Sequence, residues 1–377
     1  MILSGPVQDW WIGRQPVAQL QALAARRPGD TRVRYFLTLA LLHGGQAEAA
    51  WQQAREGILG EATLPMGRRG SRQGEAALPA GRRRSREGDA RLHRAAGLAA
   101  VAAGRVEEAA SCLGRARELG DADPGLYHGL AQVEMARGHT AEALLILEQC
   151  LRRRPDDAEA WDLTGRCRGA LGMPKQWIEA AERATRLRPR EVRYRMSQAE
   201  AHLSLGDAPA AVSAALHATD LAPKNRAAWA MLGRAMGWMA RSVSSVADAD
   251  TAFRNAITDE LPGSPPPVAL AEYGKHLVQH GSPEFAIPYL TRALKAAPAD
   301  ASVIYTLALA ARRTGRVSQA RMLIREFEQI TAETRRIHTL RARITANPHD
   351  AAARRELGTA AGATVKSQTP PAPPASP

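Results

Sequence analysis

The sequence predicts an all-α chain arranged as an array of antiparallel helix pairs. Composition is the first reason. Ala, Leu and Arg dominate, β-branched residues are sparse, and only 5% of the 377 residues are aromatic. Most of these side chains lose little rotamer freedom in a helix. An internal period is the second reason. The block Ala158–Glu191, "AEAWDLTGRCRGALGMPKQWIEAAERATRLRPRE", reads as two amphipathic helices broken at "LGMP" and closed by a proline. Val192–Asn225 repeats the design with "LGDAP" and "LAPKN", and Pro124–Asp157 with "RGHTAEA" and "RRRPDD". Each block has 34 residues, and self-similarity at such a period marks a stacked repeat architecture.

The third reason is the chemistry of fixed positions within the unit. Copies starting at residues 31, 90, 124, 158, 192, 226, 267 and 301 give eight full units. Position 15 is glycine in seven of them (Gly45, Gly104, Gly138, Gly172, Gly206, Gly281, Gly315), as needed where a helix ends in left-handed backbone. Position 20 is alanine in seven (Ala50, Ala109, Ala143, Ala211, Ala249, Ala286, Ala320). Position 8 is always small: Thr38, Gly97, Ala131, Gly165, Ala199, Gly233, Gly274, Ala308. Small residues at these two positions let the paired helices approach closely. Prolines near position 32 (Pro155, Pro189, Pro223, Pro262, Pro298) stop the second helix. Tyr127, Trp161 and Trp229, at position 4, are expected to fill the space between units.

Taken in chain order, residues 1–30 are a partial leading repeat, with "QPVAQLQALAARRPGD" as its second helix. Trp10 and Trp11 are expected to cover the first helix pair. Residues 31–64 form the first repeat. Residues 65–89 interrupt the array: "LPMGRRGSRQGEAA" and "LPAGRRRSREGDAR" match at nine of fourteen positions, a tandem duplication. Poor in apolar side chains, this insertion is expected to be disordered. Its arginines leave three readings open: a solvated loop, an electrostatic docking arm, or a nucleic-acid contact. Residues 90–334 hold seven further repeats. In the unit at 226 the inter-helix turn "ARSVSSVADA" is longer, and "PGSPPP" lengthens the link to the next unit. Residues 335–362 supply capping helices that continue the apolar stripe of Leu323, Phe327 and Ile330 through Ile337, Leu340 and Ile344. Residues 363–377, ending "KSQTPPAPPASP", form a Pro-rich tail expected to be disordered.

This pattern of spacings and residue types resembles the tetratricopeptide repeat over roughly Thr31–Thr334, the insertion apart. The related pentatricopeptide type, an RNA reader, has a usual period of 35 and fits less well. The resemblance implies a right-handed superhelical solenoid with a concave groove lined by first helices, in which positions 2, 5, 9, 12 and 13 face a ligand. Carried over residue by residue, these are Arg32, Tyr35 and His43; Arg91 and Arg94; His128 and Gln132; Glu159, Asp162 and Arg166; Arg193 and Glu200; Arg234 and Trp238; Lys275; and Tyr305, Arg312 and Arg313. Arginine and lysine outnumber carboxylates nine to three in this set, with aromatic surface interspersed. Such a groove suits an acidic or amphipathic protein segment, since Arg pairs bidentately with carboxylates. Chaperone-binding members place Lys at position 5 and Asn at position 9. No unit here has either, so a co-chaperone of that type is not expected.

Enzymatic motifs are missing from the sequence: there is no G-x-G-x-x-G, P-loop, G-x-S-x-G or H-E-x-x-H. His276 and His280 have metal-competent spacing, but no third ligand lies near them in sequence. The chain is therefore expected to be non-catalytic and to need no cofactor or metal. Net charge is +13, of which the window Pro65–Gly88 supplies +5, from seven Arg against Glu75 and Glu87, leaving +8 elsewhere. The charge calls for an acidic partner. The Arg-rich window lacks the interleaved aromatics of a base-stacking surface, so nucleic acid is not the expected partner. Three cysteines (Cys112, Cys150, Cys167), an odd number without C-x-x-C, are expected to be packing residues in a reducing compartment. With no membrane-length apolar run and no leader-like N-terminus, a cytoplasmic protein of a bacterium with an Ala/Arg-rich coding style is the expectation. The expected role is an adaptor that supports assembly of a larger complex. The alternatives are an RNA-associated helical repeat, or a helper subunit of a sugar- or sulfate-transferring enzyme.

Overall fold

A computed structural model describes residues 15–27, 30–62, 80–239, 243–259, 264–347 and 350–368. All regular structure among them is helical, in 18 helices packed as sequential antiparallel pairs. The chain divides into two compact units, residues 1–189 and 190–377. The first holds α1 (Val17–Arg26), α2 (Thr31–His43), α3 (Ala47–Ala62), α4 (Ala80–Ala102), α5 (Val106–Glu118), α6 (Pro124–Arg137), α7 (Thr140–Arg153), α8 (Ala158–Ala170) and α9 (Pro174–Leu187). The second holds α10 (Val192–Leu205), α11 (Ala208–Leu221), α12 (Arg226–Met239), α13 (Val243–Ile257), α14 (Pro267–Gln279), α15 (Pro283–Ala296), α16 (Ala301–Arg313), α17 (Val317–Ala346) and α18 (Ala351–Gln368).

The positional chemistry appears as packing. All seven position-15 glycines are left-handed, with φ from 72° to 89°, and they separate the two helices of each pair. Every position-20 alanine is buried, as is every position-8 residue. The need for smallness at position 8 is steric. A Cβ added to Gly274 would lie 2.5 Å from the Leu290 side chain, and one on Gly233 would lie 2.8 Å from the Phe253 ring. The position-4 indoles do more than fill space. Trp161 Nε1 donates to the Pro155 carbonyl and Trp229 Nε1 to the Pro223 carbonyl, each at 2.8 Å, so each tryptophan ties its helix to the linker before it.

Within each unit, first helices of successive pairs touch one another (α2, α4, α6 and α8; then α10, α12, α14 and α16). Second helices pack on their own first helix and on the next first helix. The first helices therefore present a continuous side-by-side surface within each unit, and that surface is where a ligand face can form.

Four boundaries differ from expectation. Helix α4 begins at Ala80, so residues 80–89 of the expected disordered insertion are helical; residues 65–79 lie outside the described residues. Once 90–102 is docked, each upstream residue adds a hydrogen bond without a new nucleation cost, and Ala, Arg and Glu propagate well. In the 226 unit, α13 already starts at Val243, so most of the expected longer turn is helix. The expected boundary at 334 does not exist. Helix α17 is continuous over 30 residues, because no Gly or Pro interrupts it, and Thr331, Thr334 and Thr339 hydroxyls donate to carbonyls four residues back. Helix α18 runs to Gln368, past the expected tail start at 363; residues 369–377, like Trp10 and Trp11, lie outside the described residues.

Candidate functional site

In the first unit, two of the expected groove residues are structural. Arg94, on α4, is 8% exposed, and its Nη1 donates to both carboxylate oxygens of Asp121 at 2.8 Å. Asp123 stands 3.5 Å away and caps α6 through the Gly125 amide. His128, the same repeat position on α6, is 9% exposed and puts Nε2 3.0 Å from Asp157 Oδ2. Asp157 precedes α8, and its Oδ1 accepts the amides of Glu159 and Ala160 at 3.1 and 3.0 Å. The Cys150 thiol of α7 also points at Oδ2, at 3.7 Å. Position 5 thus clamps the start of the next repeat instead of facing a ligand. Burial pushes the Asp157 carboxyl up, but hydrogen bonds from His128 and the Ala160 amide outweigh it and hold the group at about 2. Burial, then the Asp157 charge, push the Cys150 thiol up to about 12.

Of the remaining first-unit groove positions, His43, Arg91 and Arg166 are exposed, Arg32, Tyr35, Gln132 and Glu159 are half-buried, and Asp162 is buried. Arg166 makes no ion pair among the described residues. Of the expected packing cysteines, Cys150 and Cys167 are buried and Cys112 partly so; burial raises the Cys112 and Cys167 thiols to about 11 each.

The second unit arranges its candidates differently. Position 9 is Glu200 on α10, Arg234 on α12 and Lys275 on α14, one row across three first helices. Arg234 Nη2 lies 3.3 Å from Glu200, and Lys275 Nζ lies 2.9 Å from Glu272. Trp238, one turn beyond Arg234, is 64% exposed, and Tyr305 on α16 is 49% exposed with its ring 5.2 Å from Phe327. Arg312 is exposed at the end of the same helix, whereas Arg313 donates to the Val278 carbonyl and serves packing. Arg193 is exposed and lies over the Tyr194 ring at 4.7 Å. His276 is buried beside Phe253 and His280, with its Nε2 unpartnered among the described residues; burial first, then His280, lower its basicity. No third metal ligand joins that pair among the described residues.

Reading by groove position missed Asp121, Asp157 and Cys150. One signal was available: Asp30, Asp123, Asp157, Asn225 and Asp300 each stand just before a first helix and cap it through the side chain, the residue types preferred there.

Repeated antiparallel helix pairs, stacked through their first helices and offering a continuous side-chain face within each unit, define an α-helical repeat protein. Family profiles described as tetratricopeptide repeat match residues 100–167 and 277–344, and a second of that description matches 178–226. The chain is a tetratricopeptide repeat protein. No curated protein matches it. Among solved structures, a chain of the APC/C hetero-tetramer Cut9–Hcn1 is similar at TM-score 0.56 and 14% identity, over 91% of this chain and 58% of that one. A tetratricopeptide repeat protein from Parabacteroides merdae is similar at TM-score 0.53 and 14% identity, over 77% and 98%. The human IFIT1 dimer with PPP-AAAA is similar at TM-score 0.52 and 12% identity, over 84% and 68%. These likenesses concern the fold. No described helix is long and apolar enough to cross a membrane.

Proposed function

We propose that this chain is a non-catalytic adaptor that holds an acidic, partly apolar segment of a partner protein on the first-helix face of its second unit. The observation that carries this reading is the exposure of two large aromatic side chains, Trp238 and Tyr305, on a face that also bears Arg234, Lys275 and Arg312. Large aromatic surface is costly to leave in water, about 25 cal/mol per Å² of apolar area, and Trp, Tyr and Arg are the residues on which interfaces concentrate their energy. Arg234 and Lys275 are already paired with Glu200 and Glu272, but half-exposed pairs of this kind contribute only about 0–1 kcal/mol. An incoming carboxylate can displace them at small cost. The first unit offers less, since Arg94 and His128 are committed to clamps. Unpaired cysteines support a reducing compartment such as the cytoplasm.

The test uses the full chain and a fluorescent peptide of alternating Glu and Leu as probe. Arg234→Glu with Lys275→Glu is expected to weaken binding at least about tenfold, or about 1.4 kcal/mol, with helical circular dichroism unchanged. Equal binding to the reversed face overturns the reading. Loss of binding on deletion of residues 65–88 instead moves the site to the Arg-rich segment. Displacement of the peptide by a single-stranded oligoribonucleotide, with steep salt dependence, favours the RNA-associated alternative.

A further inference from the structure

We propose that His128, Cys150 and Asp157 form a binding site for a zinc-like divalent transition metal between two successive repeats of the first unit. This is the one group of three or more metal-competent side chains that converges among the described residues, with all ligand atoms within 4.8 Å of one another.

Geometry is the first argument. The three ligands come from separate elements, α6, α7 and the residue capping α8, so the repeat stack and not local sequence spacing brings them together. His128 Nε2 lies 3.0 Å and Cys150 Sγ 3.7 Å from Asp157 Oδ2. Zinc bonds of about 2.0–2.1 Å to N and O and about 2.3 Å to S, at tetrahedral angles, put N···O near about 3.3 Å and S···O near about 3.5 Å. These two separations straddle those edges, and the third, from His128 to Cys150, is within 4.8 Å, so a metal would draw the imidazole and the thiol toward each other.

Ligand chemistry is the second. Imidazole, thiolate and carboxylate together match the N, S and O donors that zinc accepts, and Ca²⁺ or Mg²⁺ would not choose a thiolate. Three protein ligands leave a fourth position for water or a carboxylate from outside.

The third argument is the support around the ligands. Asp157 is oriented by two amides at the start of α8, which leave only Oδ2 for the cluster. Glu159 Oε2 lies 3.9 Å from His128 Nδ1, beyond hydrogen-bond length but on the side where a carboxylate supports a ligating histidine. The N-terminus of α8 favours the anionic form of the Asp157 carboxylate that the metal requires. Binding replaces two hydrogen bonds with three bonds to metal. The Cys150 Sγ proton leaves to solvent, while the neutral His128 ring binds through Nε2 with its single proton on Nδ1, facing Glu159. One proton is therefore released per metal from the neutral side chains.

Co²⁺ titration of the full chain under reducing conditions tests this. The expected result is one equivalent bound, with visible d–d bands of tetrahedral intensity and a near-ultraviolet thiolate-to-cobalt band, both removed by one equivalent of Zn²⁺. Cys150→Ser should abolish the thiolate band. Asp157→Asn, which keeps a capping oxygen, and His128→Gln should each weaken binding at least tenfold, while Cys112→Ser with Cys167→Ser should leave the spectrum unchanged. Zn²⁺ should raise the thermal midpoint of the wild type and not that of Cys150→Ser. A thiolate band that survives Cys150→Ser, or no such band in a folded wild-type chain, overturns the proposal.

Discussion

The two units solve the same problem, locking one repeat to the next, with different side chains at position 5. In the first unit that position is Tyr35, Arg94, His128 and Asp162, and the middle two each reach an aspartate just before the following repeat. In the second it is Met196, Ala230, Ala271 and Tyr305: the two alanines are 7% and 5% exposed and pack into the apolar core, and Tyr305 is 49% exposed. The consequence reaches the ligand face. Where position 5 is a clamp, its cation is unavailable to a partner. Where position 5 is apolar, the charges stand at position 9 and beyond, in shallow pairs that exchange with little loss. A cation at a nominal groove position is therefore informative only once the carboxylate beside it is known.

The largest expected effect breaks the first-unit clamp. Arg94 and Asp121 expose 10% and 7% of their side chains, so Arg94→Ala strands a buried carboxylate. Removing one partner of a buried pair costs about 3–5 kcal/mol, which urea denaturation should report as a large fall in midpoint. Arg94→Met combined with Asp121→Leu should recover most of the loss, because apolar packing then replaces both charges. If Arg94→Ala costs less than about 1 kcal/mol, the value of an exposed pair, position 5 is not a clamp.

A matched pair of cap variants sharpens the contrast between units. The Asp300 side chain caps α16 through the Ser302 and Val303 amides and makes no other bond among the described residues. Asp157 makes the same two cap bonds and also holds His128 and Cys150. Losing a cap alone costs about 1 kcal/mol, the expectation for Asp300→Ala. Asp157→Ala should cost about 2–4 kcal/mol, since a hydrogen bond involving a charged group adds about 1.5–3. Equal losses at the two sites would mean that the clamp on Asp157 contributes nothing to stability.

Much of the fold was legible because backbone geometry and close packing constrain residue type. A left-handed turn admits glycine, and a 2.5 Å approach at Gly274 excludes a side chain, so the period shows in the letters. Helix extents were less legible. Nothing in "RRRSREG" marks a helix until the docked segment after it is known, and α17 passes 334 only because breakers are absent for 30 residues. The site was least legible. Position within the repeat indicated which side chains lie on first helices, but not that Asp121 and Asp157 would consume two of them. Those aspartates lie 27 and 29 residues from their cations, and the contacts arise from stacking. Trp238 and Tyr305 lie exposed at positions the family resemblance assigns to the groove, but Arg94 and His128, at the same position 5 as Tyr305, are buried, so position alone does not set exposure.

The smallest expected effect on stability belongs to the residue most important for the proposed function, Arg234. Its pair with Glu200 is 3.3 Å long, and the two side chains are 27% and 47% exposed. Water screens both partners, so the pair contributes about 0.2–1 kcal/mol, and Arg234→Ala should shift the urea midpoint within that range. Arg234 Nη2 also donates to Met231 Sδ at 3.3 Å, which sets the upper end. The same substitution should still weaken the Glu/Leu peptide severalfold, because the cation is lost to the ligand while Glu200 remains as a repulsive charge. Arg234→Ala with Glu200→Ala removes that repulsion and should bind the peptide better than Arg234→Ala alone, at nearly the same stability. A loss above about 2 kcal/mol for Arg234→Ala, well beyond the range of an exposed pair, would make Arg234 a strut like Arg94. The second unit would then lack an exchangeable cation at position 9 of α12, and the difference between the two faces would vanish at the residue on which it chiefly rests.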